Sequence, residues 1–148
     1  NAFFSTQGSA TVAIAKDEEK GNVWKITPAE GNVWVYVRQS CTYTPGASYK
    51  ASLGVKLTGT PSKSEGVSTS MYCNLRYKED DGKLDHILFP GGNITISTED
   101  GWKHWEFEFT ISADSTERDN DQFTFYANPV DGEGVGFLID NVKVEKIS

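Results

Sequence analysis

The chain has 148 residues, 37% hydrophobic and 24% charged, with a net charge of −7, a size that suits one ordinary domain with a two-layer core. The acidic balance, with a pI near 4.8, and the lack of any Lys/Arg run exclude nucleic acid as a partner, and no stretch of about 18 apolar residues offers a membrane span. Asn1 to Gln7 have none of the basic start, apolar middle and small-residue cleavage site of a signal peptide, so the chain reads as a mature or trimmed single domain over 1–148, soluble and globular.

In chain order, short runs of period-two alternation are separated by Gly, Pro, Asp and Asn, which is the pattern of strands rather than helices. The predicted strands are Ala10 to Ala15, Asn22 to Thr27, Val33 to Cys41, Ser48 to Thr58, Thr69 to Lys78, Asp85 to Phe89, Lys103 to Ser112, Gln122 to Ala127 and Gly136 to Ile147. Pro45-Gly46, Asp81-Gly82, Pro90-Gly91-Gly92 and Asp131-Gly132 supply the fixed or positive φ of turns between them. The small, polar stretch Gly59 to Ser68 reads as a mobile loop. Nine strands without a helical insert predict an all-β fold: a two-sheet antiparallel β-sandwich, for which jelly-roll topology is the commonest arrangement.

Parity within each strand sorts side chains by face. Val35, Val37 and Cys41 share an inward phase, which turns Trp34, Tyr36 and Arg38 outward. Met71, Cys73, Leu75 and Tyr77 take the core phase of their strand and leave Tyr72, Asn74 and Arg76 on the other face. Phe123 and Phe125 go inward, leaving Thr124, Tyr126 and Asn128 outward. Aromatics interleaved with Arg and Asn on a solvent-facing phase fit a sugar: pyranose C–H faces lie on aromatic rings, and hydroxyls exchange hydrogen bonds with Arg and Asn. The plainer alternative is that these aromatics cover a second sheet face and that Arg38 and Arg76 pair with the many carboxylates.

Trp24 shares phase with Ile26, and Trp105 with Phe107, Phe109 and Ile111, so both tryptophans are expected in the core. Trp102, after Asp100-Gly101, is expected to plug one end of the sandwich, and His104, Glu106 and Glu108 form a solvated face. Catalysis finds no support. The chain has two histidines and lacks Gly-x-Ser-x-Gly, HExxH and a Gly-rich phosphate loop, and its 21 acidic residues show no paired pattern. Cys41 and Cys73 lack metal-ligand spacing and lie on apolar phases, leaving a disulfide and two buried thiols as alternatives.

Several stretches resemble carbohydrate-binding modules of families 4, 9, 16 and 22. Trp34-Val-Tyr-Val-Arg-Gln39 is similar to their Trp-x-Val-x-Leu-x-Gln strand, and Pro45-Gly-Ala-Ser-Tyr49 to their Pro-Gly-x-x-Tyr turn into a long strand. Gly101-Trp102 leading to Phe107-Glu-Phe109-Thr resembles their Gly-Trp entrance strand, and Phe137-Leu-Ile-Asp140-Asn-Val142 their closing strand. The resemblance implies a jelly-roll module without catalytic activity, appended to a glycoside hydrolase in an extracellular bacterial protein, secreted or on the cell surface. It binds one glycan chain through residues matching Trp34 to Arg38, Tyr72 to Arg76 and Tyr126 to Asn128. It also implies a structural calcium held partly by Asp140, although Asn1-Ala-Phe-Phe-Ser5 stands where the families have Asn-Pro-Gly-Phe-Glu.

The combined expectation is a module that binds a soluble β-linked plant polysaccharide, xylan first and β-1,4 or mixed-linkage glucan second, in an open groove. Trp34, Tyr36, Tyr72 and Tyr126 stack, and Arg38, Asn74, Arg76 and Asn128 form hydrogen bonds. The alternative from another class is a β-sandwich adhesion or assembly module that uses the same outward aromatics on a protein partner.

Overall fold

β-Branched and aromatic side chains at every second position bury one face of a pleated strand and leave the other to solvent, and the alternating segments become strands for that reason. The computed structural model describes residues 4–5, 10–29, 35–61, 66–79, 82–88, 93–113, 121–127 and 132–148, with side chains for all of these except 4–5, 70–79, 82–88 and 132–133. In chain order the strands are β1 Phe4–Ser5, β2 Ala10–Asp17, β3 Gly21–Pro28, β4 Val35–Ser40, β5 Ser48–Pro61, β6 Val67–Glu79, β7 Gly82–Leu88, β8 Asn93–Ile96, β9 Lys103–Thr110, β10 Gln122–Ala127 and β11 Gly132–Lys146. A 3-10 turn at Thr98–Asp100 is the one helical element among the described residues.

All pairings are antiparallel. One six-stranded sheet runs β1-β4-β10-β6-β7, with β8 on the same edge of β6 as β7; the other runs β2-β3-β11-β5-β9. This is the expected jelly-roll β-sandwich. The nine predicted strands are all present, and β1 and β8 are additional, each too short for alternation to reveal. Part of the expected loop Gly59 to Ser68 is strand instead. β5 continues through Pro61, paired with β11 at Gly132↔Pro61 and Glu133↔Thr60, and β6 begins at Val67 against Ile96. Polar side chains do not prevent a strand where the backbone finds a ladder partner.

The core lies between the inner faces of the sheets. Val35 and Val37 of β4 and Phe123, Phe125 and Ala127 of β10 meet Leu53, Val55 and Leu57 of β5 and Phe137 and Ile139 of β11, all at most 2% exposed. The Phe125 and Phe137 rings touch edge to face across the sheets, centroids 5.4 Å apart. A second aromatic group, Tyr43, Tyr49 and Phe109, completes the core; Tyr49 stacks on Phe109 at 5.6 Å, and the Thr44 N–H donates to the Tyr49 hydroxyl at 2.7 Å.

Trp105 belongs to the core as expected, whereas Trp24 is only half-buried at its margin. Trp102 does not plug an end of the sandwich. It lies on the outer face of the five-stranded sheet, against Gly54 of β5, whose neighbours Leu53 and Val55 point inward. The missing side chain at Gly54 leaves room for the ring, and the indole Nε1–H donates to Asp17 Oδ2 at 3.1 Å.

Candidate functional site

The three central strands of the six-stranded sheet place their outward residues in rows, because positions directly opposite one another in an antiparallel ladder share a face. β10 is the middle strand. Its register with β4 aligns Tyr126 with Tyr36, Thr124 with Arg38 and Gln122 with Ser40. Its register with β6 brings the backbone of Ser70 opposite Tyr126, Tyr72 opposite Thr124 and Asn74 opposite Gln122. The segments that parity selected from three separate stretches of sequence thus stand side by side.

Tyr36 and Tyr126, both half-buried, touch with ring centroids 4.9 Å apart and planes tilted by 54°. Beside them the Arg38 guanidinium carbon lies 5.9 Å from the Tyr36 ring centroid. The Arg38 Nε is buried and has no hydrogen-bond acceptor among the described residues. Thr124 is 0% exposed despite its outward phase, and Gln122 is 8% exposed, so the middle of this face is recessed below the tyrosines.

Of the other expected site residues, Tyr72 and Asn74 hold the register positions just given, and Arg76 lies beyond the β10 pairing, opposite Asp85 of β7. Trp34 and Asn128 lie outside the described residues. Gln122 and Ser40 join the face without having been singled out. Extending the parity of Tyr126 and Thr124 two residues back would have found Gln122.

The face offers rings for apolar C–H surfaces and polar donors and acceptors for hydroxyls, and none of its described side chains is a carboxylate or an imidazole. His104 is far from it, exposed on β9 of the other sheet, with Nε2 3.5 Å from Glu106. Cys41 carries a free thiol, and the side chain of Cys73 lies outside the described residues. Burial pushes the Cys41 pKa up to about 11; the nearby Asp121 charge adds to this and a Tyr43 hydrogen bond opposes it, so the thiol stays protonated at neutral pH and is a poor nucleophile.

Asp140, half-buried on β11 at a register shift, lines a cavity with Asn22 and Asn141. One carboxylate and two carboxamides fall short of the six to eight oxygens a calcium ion collects, and the described residues contain no group of three or more His, Cys, Asp or Glu side chains placed to hold a metal.

Two antiparallel sheets in jelly-roll order form the fold of β-sandwich carbohydrate-binding modules. Among solved structures, the chain is similar to the CBM22-2 xylan-binding domain of Paenibacillus barcinonensis Xyn10C, with a TM-score of 0.72 and 10% identity over 98% of this chain and 91% of that one. It is also similar to the CBM22-1-GH10 modules of Clostridium thermocellum endo-1,4-β-D-xylanase 10B complexed with xylohexaose, at a TM-score of 0.67 and 12% identity over 99% of this chain and 26% of that one. A CBM4 structure gives a TM-score of 0.55 and 15% identity over 98% of this chain and 86% of that one. No family model and no curated protein matches the sequence.

Proposed function

We propose that the chain is a carbohydrate-binding module without catalytic activity. In this reading it binds a soluble β-linked polysaccharide, xylan first and β-1,4 or mixed-linkage glucan second, on the outer face of the six-stranded sheet. The observation that carries the reading is the row geometry. Tyr36 and Tyr126 form a ring pair next to Arg38, over a recessed floor of Thr124 and Gln122, with the backbones of Tyr72 and Asn74 in register alongside. The structures of xylan-binding family 22 modules with the same fold support it.

The binding is an equilibrium without chemistry. A flexible glycan loses freedom on an open face and exchanges good hydrogen bonds with water for similar ones with protein, so the dissociation constant is expected from about micromolar to about millimolar. Such weak binding is useful in a secreted protein that also carries a glycoside hydrolase, because tethering raises the effective concentration of substrate near the enzyme. A calcium ion at Asp140 belongs to the same reading only if oxygens beyond those of Asn22, Asp140 and Asn141 complete its shell, and no step of the binding uses it.

Native affinity electrophoresis in gels containing xylan, β-glucan or glucomannan tests the proposal. Retardation is expected with at least one of them. Tyr126→Ala and Tyr36→Ala are each expected to weaken it roughly tenfold or more, the loss of one stacked ring, with an unchanged circular dichroism spectrum. Unretarded migration in every gel would move the reading to a protein-recognition module that uses the same aromatic face.

A further inference from the structure

We infer that an open cleft at the edge of the five-stranded sheet is a second sugar site, which takes one neutral sugar unit such as the terminal unit of a chain. It shares no residue with the face of Tyr36 and Tyr126 and does not depend on that face binding glycan.

The cleft has a volume of about 210 Å³ and lies between Ile14 of β2, Asn22 and Trp24 of β3, and Ile139, Asp140 and Asn141 of β11. Register builds its apolar wall. Ile14 stands opposite Trp24, and Trp24 opposite Ile139, in one row across the three strands. Along that row exposure falls from 68% at Ile14, through the half-buried Trp24, to 0% at Ile139. Ile14 continues the inward phase of Ala10 and Val12, but β2 is the edge of its sheet and Ile14 lies beyond the core cluster. The row therefore runs from the core out to solvent and leaves apolar surface on the side of the cleft.

Asn22, Asp140 and Asn141 supply the polar wall. None of the three side chains makes a hydrogen bond or an ion pair among the described residues. Asp17 on the same sheet is the contrast, with one carboxylate oxygen accepting three N–H groups. Two carboxamides and a carboxylate offer donors as well as acceptors, in planar groups that suit neighbouring hydroxyls of a sugar ring. A metal ion would use their oxygens alone, and an organic cation the carboxylate and the indole alone. A neutral sugar uses the amide donors too, and its C–H surface fits the apolar wall.

Asn141 adds a second observation. Its φ of 54° is the one left-handed value outside glycine among the described residues. Glycine adopts that region without strain, yet a carboxamide stands there. The register shift between Asp140 and Lys143 leaves Asn141 out of the paired register with β5, and its side chain lines the cleft. The volume sets the ligand size: sites for drug-sized ligands measure about 300–1,000 Å³, so this one holds a single sugar unit rather than a stretch of chain.

Heteronuclear NMR on the isotope-labelled chain tests the inference, with Tyr126→Ala present so that the outer face of the other sheet contributes little. Methyl glycosides of xylose, arabinose, galactose, glucose and mannose, which imitate the end of a chain, are titrated in EDTA. At least one is expected to shift the Trp24 indole N–H and the Asn22 and Asn141 side-chain amides saturably, with a Kd of about millimolar. Asn141→Gly removes a carboxamide while relieving the backbone, and Asn22→Ala changes an exposed position, so both variants are expected to fold. Each is expected to weaken that sugar roughly fivefold, the loss of one hydrogen bond. Shifts that spare these residues, no shift with any of the sugars at about 100 mM, or unchanged affinity in both variants overturns the inference. So does saturation of the same signals by calcium alone, in buffer without EDTA, with loss of the sugar shifts, since the cleft would then be a metal site. Affinity electrophoresis of the wild type in polysaccharide gels reports on the face of Tyr36 and Tyr126 separately, so the failure of either site is distinguishable from that of the other.

Discussion

Asp17 closes the turn between β2 and β3 and ties it to the entrance of β9. Its Oδ2 accepts the N–H groups of Glu19 and Lys20, each at 2.9 Å, and the Trp102 indole at 3.1 Å, and its side chain is only 8% exposed. Burial raises the carboxyl pKa, but the hydrogen bonds from Lys20, Glu19 and Trp102 and the Lys56 charge outweigh it and hold the group below its ordinary value of 3.8. A carboxyl with a lower pKa folded than unfolded stabilises the fold fully above its unfolded value, and that contribution is lost as pH falls through the folded one. Asp17→Asn is therefore expected to lower Tm near neutral pH, with the gap from wild type narrowing as pH drops below about 4. Thermal melts across that range check it; a gap independent of pH would show that charge is not what Asp17 contributes. The Lys50–Glu106 pair behaves differently: with side chains 39% and 43% exposed, it is screened by solvent and adds little.

At the scale of elements, the pairing of β5 with β11 depends on Gly59. Its φ of 83° lies in the left-handed region, and a Cβ there would collide with the backbone of Gly134 and Val135 across a register shift in the ladder. Gly21, which opens β3, has a similar φ of 75° but nothing within 4 Å of an added Cβ. The two positions separate strain from collision. Gly21→Ala is expected to cost about 1 kcal/mol for the left-handed backbone alone, and Gly59→Ala clearly more, since strand β11 must also shift. Urea denaturation of the two variants measures the difference, and equal costs would mean that the close approach to Gly134 is easily relieved. The candidate face sits on the other sheet, so Gly59→Ala should leave glycan affinity nearly unchanged wherever the chain remains folded.

At the scale of the molecule, the inner faces of two sheets share one core, and the proposed binding face is the outer side of one of them. Phe125 is the inward neighbour of Thr124 and Tyr126, and its ring meets Phe137 of the opposite sheet. Phe125→Ala is expected to cost about 3–5 kcal/mol through lost burial and the cavity left behind. Because β10 carries the central row of the face, glycan binding and the unfolding transition should then fail together along a urea titration. A variant that binds normally after losing its folded circular dichroism signal would refute the placement of the site on this sheet.

Much of this was legible in the sequence, since a period of two is a local property: a pleated strand with one buried face writes its phase directly into residue order. That phase assigned Val35 and Val37 inward against Tyr36 and Arg38, and Phe123 and Phe125 inward against Tyr126, and the structure agrees. Parity could not tell which strands are neighbours, because ladder partners are set by long-range pairing; the meeting of Tyr36 and Tyr126 follows from the β4–β10 register alone. Nor could it say what lies beyond a strand's own faces. Trp102 has the apolar character of a core residue, and only the gap at Gly54 and the acceptor on Asp17 place it outside the five-stranded sheet. Thr124 is outward by phase yet fully buried, because exposure depends on neighbours contributed by other strands. The sequence alone thus determined the all-β class and the side of the pleat each residue takes, for these are properties of one strand. Tertiary structure decided which residues share a surface, for that depends on distances between segments far apart in the chain.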